Sequence, residues 1–172
     1  EGAVTPAELA IRPVLRAGEV LETVPGLVVS QHTGEGKANQ YYLRGFNLDH
    51  GTDFSTTVAG LPINLPTHAH GHGYTDTNFL IPELIGGIQF SKGPYDASRG
   101  DFTTAGAASV RYVNVLDRPI VAFSSGGQGW TRALAAASPA IGPGHLLVAA
   151  EVATVDGPWT RPDDYRRLNG LA

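Results

Sequence analysis

The chain has no cysteine, which removes a disulfide framework, a thiolate metal site and a thiol nucleophile together. No apolar run approaches the ~20 residues of a membrane-crossing helix, so any meeting with a bilayer has to go through β-strands. Residues 1–12 lack the basic start and apolar stretch of a secretory leader, and the expectation is a cytosolic chain or one already trimmed. Positive charge is scarce too. Lys+Arg 12 against Asp+Glu 16 gives a formal net charge of -4. That creates no field for a phosphate backbone, and nucleic acid is not an expected partner.

What the chain has in quantity is turn formers, 22 Gly and 12 Pro, which favour many short elements over long helices. A hydrophobic share of 42% in 172 residues is enough for one buried domain, or for one domain and a fragment of another. The spacing of Val14, Ala17, Leu21 and Val24 predicts a helix over residues 13–24, opened by Pro13 and stopped by Pro25-Gly26. Strands are predicted at 27–31, 41–45, 55–59, 88–92 and 107–113, where β-branched or aromatic residues sit between turn formers. A long polar insertion, 66–78, separates the third from the fourth, and a loop of that length inside a compact domain is usually functional.

After Asp117 the texture changes. Strands are predicted at 119–125, 130–138, 144–155 and 165–172. Leu146, Val148, Ala150, Val152 and Thr154 fall on one side of the third of these, and Leu147, Ala149, Glu151, Ala153 and Val155 on the other. With the first set toward lipid and Glu151 toward a lumen this suits a membrane barrel, although a sandwich strand has the same alternation. Trp130, Trp159 and Tyr165 lie near strand ends, where aromatic residues mark membrane interfaces. So few strands cannot close a transmembrane barrel, which needs at least ~8, and the chain is expected to continue.

Five motifs then follow one another in a telling order: VLETVPGLVV (20–29), YYLRGF (41–46), GLPIN (60–64), NFLIPELIGGIQFSKGP (78–94) and YDASRGDFTTAGAASVRYV (95–113). In this order they resemble the plug of TonB-dependent outer-membrane receptors. The resemblance implies a mixed α/β plug over residues 1–117, followed over 118–172 by the first antiparallel strands of a transmembrane β-barrel. It implies a bacterial outer-membrane location with the plug accessible from the periplasm, and surrounding outer-membrane lipid. TonB would be the partner, through a segment upstream of this chain, and a siderophore or other small-molecule or metal-complex cargo would be taken up without catalysis. By the same resemblance Arg44 and Lys92 stand inside the barrel and pair with carboxylates of its wall; a solvated surface charge is the alternative for each. Gly45 and Gly60 fall where strands turn sharply, and Lys92-Gly93-Pro94 ends a strand because proline cannot donate to the ladder. Two positions depart from the family pattern: Ala59 replaces the acidic residue before Gly60, and Ala105-Gly106-Ala107-Ala108 replaces a Gly-Gly pair.

The most chemical segment is PTHAHGHGYTDTNF (66–79). If it is extended, His68, His70 and His72 share one side, and Asp76 adds a carboxylate. Zinc or copper would suit that donor set, so His68, His70, His72 and Asp76 are the candidate metal ligands. Tyr74, with Asp49 and His50 from the polar set after Arg-Gly-Phe, completes the candidate ligand-binding residues; Thr75 and Asn78 supply further hydrogen-bonding groups. Hydrogen bonding to an organic cargo and simple loop structure are the competing readings. By the resemblance the insertion lies on the plug's outer side. Two other classes stand beside the importer: a soluble periplasmic metal-binding or interaction domain, and a metal-dependent hydrolase suggested by His-x-His. The second lacks an acidic residue next to the last histidine, since Gly71 and Gly73 flank His72.

Overall fold

Local chemistry accounts for the hairpins. In the computed structural model, which describes residues 1–172, β3 (Gln40–Leu43) returns as β4 (Phe46–Asn47), and β5 (Phe54–Val58) returns as β6 (Leu61–Pro62). Each pair is joined by two residues at positive φ: Arg44 at 53° with Gly45 at 81°, and Ala59 at 50° with Gly60 at 82°. Two consecutive left-handed residues match the right-handed twist of the flanking strands, which is why glycine is favoured at the second position.

The remaining elements, in chain order, are β1 (Gly2–Val4), α1 (Pro6–Ala10), β2 (Leu27–Ser30), β7 (Ile85–Lys92), β8 (Gly106–Tyr112), β9 (Ile120–Ser125), β10 (Thr131–Ala137), β11 (Ala140–Ile141), β12 (Gly144–His145), β13 (Val148–Val155) and β14 (Tyr165–Leu171). The short α1 is held by a capping box: the Glu8 amide donates to Thr5 Oγ1 at 3.3 Å and the Thr5 amide to Glu8 Oε2 at 2.7 Å.

The chain divides into two compact units, Glu1–Thr33 with Lys37–Tyr112, and Gly34–Gly36 with Val113–Ala172. In the first, a five-stranded mixed sheet runs β1-β7-β8-β5-β6, parallel only between β5 and β8, and a three-stranded antiparallel sheet runs β2-β3-β4. Their inner faces and the 3-10 helix Ala17–Thr23 meet in one core that includes Val20, Leu21, Tyr41, Leu48, Phe54 and Val110.

The helix predicted over residues 13–24 is corrected to that 3-10 segment, Ala17–Thr23. Ala17, Leu21 and Val24 are buried as their spacing implies, while Val14 lies outside the helix and is half-buried. The Glu19 carboxylate accepts from the Leu15 and Arg16 amides at 3.0 and 3.2 Å, a capping box that starts the helix at Ala17 rather than at Pro13, and the bonds of the Glu19 amide to Arg16 O and of the Val24 amide to Leu21 O span three residues, as in a 3-10 turn.

The second unit is a four-stranded antiparallel sheet, β14-β13-β10-β9, with a small hairpin of β11 and β12. The strand predicted over 144–155 is interrupted after His145, where the Leu146 amide turns to the Pro139 carbonyl at 3.0 Å. From Val148 the predicted alternation holds: Ala150 and Val152 are exposed, Glu151 and Ala153 buried. Val121, Phe123 and Leu168 join the exposed face at 88%, 73% and 82% exposure. On the opposite face the Glu151 carboxylate is shared by the Arg132 guanidinium, the Arg167 guanidinium at 3.0 Å and the Asn169 amide at 3.0 Å. A lone carboxylate that deep would be costly; with these donors around it, its charge is compensated.

Candidate functional site

The site is assembled from two loops. The first follows β4. There the Leu48 amide donates to Tyr41 O and the Tyr41 amide to Asp49 O, each at 2.9 Å, and the Asp49 amide donates to Asn47 Oδ1 at 2.8 Å. Asp49 is thereby held at φ 51° with its carboxylate half-exposed. His50, next in sequence, is only 4% exposed. Its Nδ1 lies 3.0 Å from both the Ala38 and the Asn39 carbonyl oxygens. A carbonyl can only accept, so Nδ1 carries the proton and the Nε2 lone pair is free in the neutral ring.

The second loop is the histidine insertion. It is closed at its base by the Leu65–Tyr74 bridge, with the Leu65 amide on Tyr74 O at 3.0 Å and the Gly73 amide on Leu65 O at 2.8 Å. Thr52 Oγ1 donates to the His72 carbonyl at 2.6 Å, and Asn64 Nδ2 to the Gly73 carbonyl at 3.2 Å, pinning it against the first loop. Tyr74 reaches further and accepts from the Ala38 amide at 2.8 Å.

The loop is a series of bends and turns, so the period-two alternation that would align its imidazoles does not apply. The three rings part company. His70 packs edge-on against His50 with ring centroids 4.4 Å apart. His68 stacks on Tyr74 at 3.9 Å, and its Nδ1 accepts from the His70 amide at 3.1 Å. His72 turns its Nδ1 to the Pro66 carbonyl at 3.0 Å, and Asp76 accepts from the Asn78 amide at 2.8 Å. His70 thus joins Asp49 and His50, one ligand atom from each lying within 4.8 Å of the others.

Sequence reasoning singled out each of those three residues but did not join them. It passed over His32, whose ring centroid is 5.1 Å from that of His50, and Asn64, whose side chain ties the first loop to the second. The position of Asn64 at the end of GLPIN was the available signal. Of the other motif residues, Arg44 is exposed, and Lys92 Nζ stands 5.6 Å from the centroid of the Phe90 ring. β7 ends at Lys92, where the Gly93 amide turns to the Ala105 carbonyl at 2.7 Å.

A mixed sheet and a few short helices carry the polar loop cluster, and antiparallel strands with one apolar face follow. The chain belongs to the TonB-dependent Receptor Plug Domain family, whose model matches residues 2–107. Solved structures share the fold. The ferric enterobactin receptor PfeA of Pseudomonas aeruginosa matches with a TM-score of 0.65 at 16% identity, over 90% of this chain and 24% of that one. The siderophore receptor PirA of Pseudomonas aeruginosa matches with 0.62 at 17%, over 97% and 29%. The copper transporter OprC matches with 0.64 at 20%, over 90% and 23%. The chain therefore spans about a quarter of the length of these receptors.

Proposed function

We propose that the chain is the plug and the first wall strands of a bacterial outer-membrane importer, which receives a metal ion or metal complex at its histidine-bearing loops and admits it when TonB pulls on the plug. The carrying observation is the convergence of a buried, tautomer-fixed His50 with His70 and Asp49 on a plug fold. Loops held on a rigid sheet suit recognition. The named cargo of the structural relatives, siderophores and copper, supports a metal-linked cargo here.

The second unit supports the membrane placement. Its sheet presents Val121, Phe123, Val152 and Leu168 outward and encloses the Glu151–Arg132–Arg167 group on the other face, the lipid-out and polar-in arrangement of a barrel wall. No bond in the cargo is broken in this reading; the protein's work is binding and gating.

The test uses the full-length gene. The product is expected in the outer-membrane fraction, and cells carrying it should accumulate labelled zinc, copper or a ferric siderophore only when TonB and the proton-motive force are intact. A product in the soluble fraction, or uptake undiminished without TonB, would overturn the importer reading.

A further inference from the structure

The geometry points to a specific ion site: we propose that Asp49, His50 and His70 bind one divalent transition-metal ion, zinc or copper, through one carboxylate oxygen and two imidazole nitrogens, leaving a coordination position open.

The donors come from two loops that only the fold brings together. Asp49 Oδ1 and His50 Nε2 are 3.7 Å apart. That is too long for a hydrogen bond between them. It is close to the ~3.3 Å separation of two ligands that share a tetrahedral ion at bonds of about 2.0 Å. The gap is thus suited to an atom between the groups rather than to direct contact.

His50 is prepared for the role. Its Nδ1 faces the Ala38 and Asn39 carbonyls at 3.0 Å, which orients the buried ring and turns Nε2 to the Asp49 side. Carbonyl partners on the far nitrogen are the usual support of a metal-bound imidazole. His70 supplies the third donor from the exposed loop, so closing that distance takes only a side-chain movement on the solvent side. His50 is buried while Asp49 and His70 are exposed, so the ion would be reached from the solvent side.

Two imidazoles and a carboxylate favour zinc, copper or nickel over magnesium and calcium, which prefer all-oxygen shells. With three protein ligands, the remaining position takes water or a ligand carried by the ion. The net charge of such a site is positive by one, and that suits an anionic carrier. His68, His72 and Asp76 stand apart from this cluster, which holds only Asp49, His50 and His70 within 4.8 Å: His68 Nδ1 accepts from the His70 amide, His72 Nδ1 faces the Pro66 carbonyl, and Asp76 caps the Asn78 amide.

That the bound ion is cargo rests on the importer reading above; its coordination does not. The test is isothermal titration of zinc chloride and of copper chloride into the chelator-treated full-length receptor in detergent, with nitrogen hyperfine coupling in the copper EPR spectrum as a second readout. The expected result is one ion per chain, with at least about tenfold weaker binding in His70→Ala and Asp49→Asn. His72→Ala and Asp76→Asn are expected to bind as the parent does. His50→Gln is a further variant, but His50 is buried, so the exposed His70 and Asp49 positions carry the decision. No binding by the parent, or unchanged binding in His70→Ala, would overturn the site. Binding at this site without TonB-dependent accumulation of the ion would leave the site standing and remove the importer reading of it.

Discussion

Asn64 offers a sharp test of how the two loops are held together. Its side chain is 7% exposed and meets four backbone groups. Oδ1 accepts from the Thr56 amide at 2.7 Å, and Nδ2 faces the carbonyls of Gly51 and Phe54 at 3.0 Å and of Gly73 at 3.2 Å. Asn64→Ala removes all of these. The Gly51 carbonyl keeps the Phe54 amide and the Gly73 carbonyl keeps Thr75 Oγ1, so the loss concentrates on the Thr56 N–H. A buried donor without its acceptor costs about 1–3 kcal/mol, and the two amide protons of Nδ2 contribute roughly 0.5–1.5 kcal/mol each, for a total of about 2–6 kcal/mol. At about 1.4 kcal/mol per factor of ten, local opening should rise ~30- to 20,000-fold. Hydrogen exchange measured by mass spectrometry on the full-length receptor reads this directly in peptides spanning residues 51–56 and 73–75. Asn64→Asp keeps the acceptor for Thr56 but sets a carboxylate against three carbonyls, and it should open at least as much. Exchange raised by less than about threefold, roughly 0.6 kcal/mol, would refute the idea that Asn64 pins the loops.

Other outcomes follow from single contacts. Burial pushes the Tyr41 phenol up to about 12 from 10.0, its hydroxyl donating to the Thr75 carbonyl at 3.2 Å. The native state therefore keeps a proton that the unfolded chain releases, so stability from this group is level below pH 10 and falls as pH climbs toward about 12. Alkaline denaturation followed by phenolate absorbance should show that fall, and Tyr41→Phe should flatten it. Ala59 occupies a left-handed position that asparagine tolerates better, so Ala59→Asn should stabilise the plug by about 1 kcal/mol; an unchanged or lower thermal midpoint for plug unfolding would count against the turn assignment. In the sheet of the second unit, Glu151→Gln removes the charge opposite Arg132 and Arg167 and should cost about 3–5 kcal/mol, read as a shifted urea midpoint of the full-length protein; a shift near zero would refute the burial argument for this group.

Much of the architecture was legible in the sequence because its causes are local. Arg44-Gly45 and Ala59-Gly60 turn their hairpins through backbone angles that a two-residue loop demands wherever it occurs, and the alternation around Glu151 separates the two faces of β13 by strand geometry alone. The segment at 13–24 was less legible: buried residues three and four apart fit an α-helix and a shorter 3-10 turn alike, and the two are told apart only by backbone bonds that span three residues, Glu19 N to Arg16 O and Val24 N to Leu21 O.

The chemistry of the site divides along the same line. Residue types are properties of the sequence, and they were sufficient to mark His70, His50 and Asp49 as ligand candidates and the 66–78 insertion as a candidate functional loop. Which of them meet is a property of chain closure: the Leu65–Tyr74 bridge and the Asn64 bonds carry His70 onto a turn some twenty residues earlier, and the same bends send His68 to Tyr74 and His72 to Pro66. Periodicity describes neighbours along one element. A contact between two loops depends on where the core has fixed both of their ends, and only the folded chain settles that.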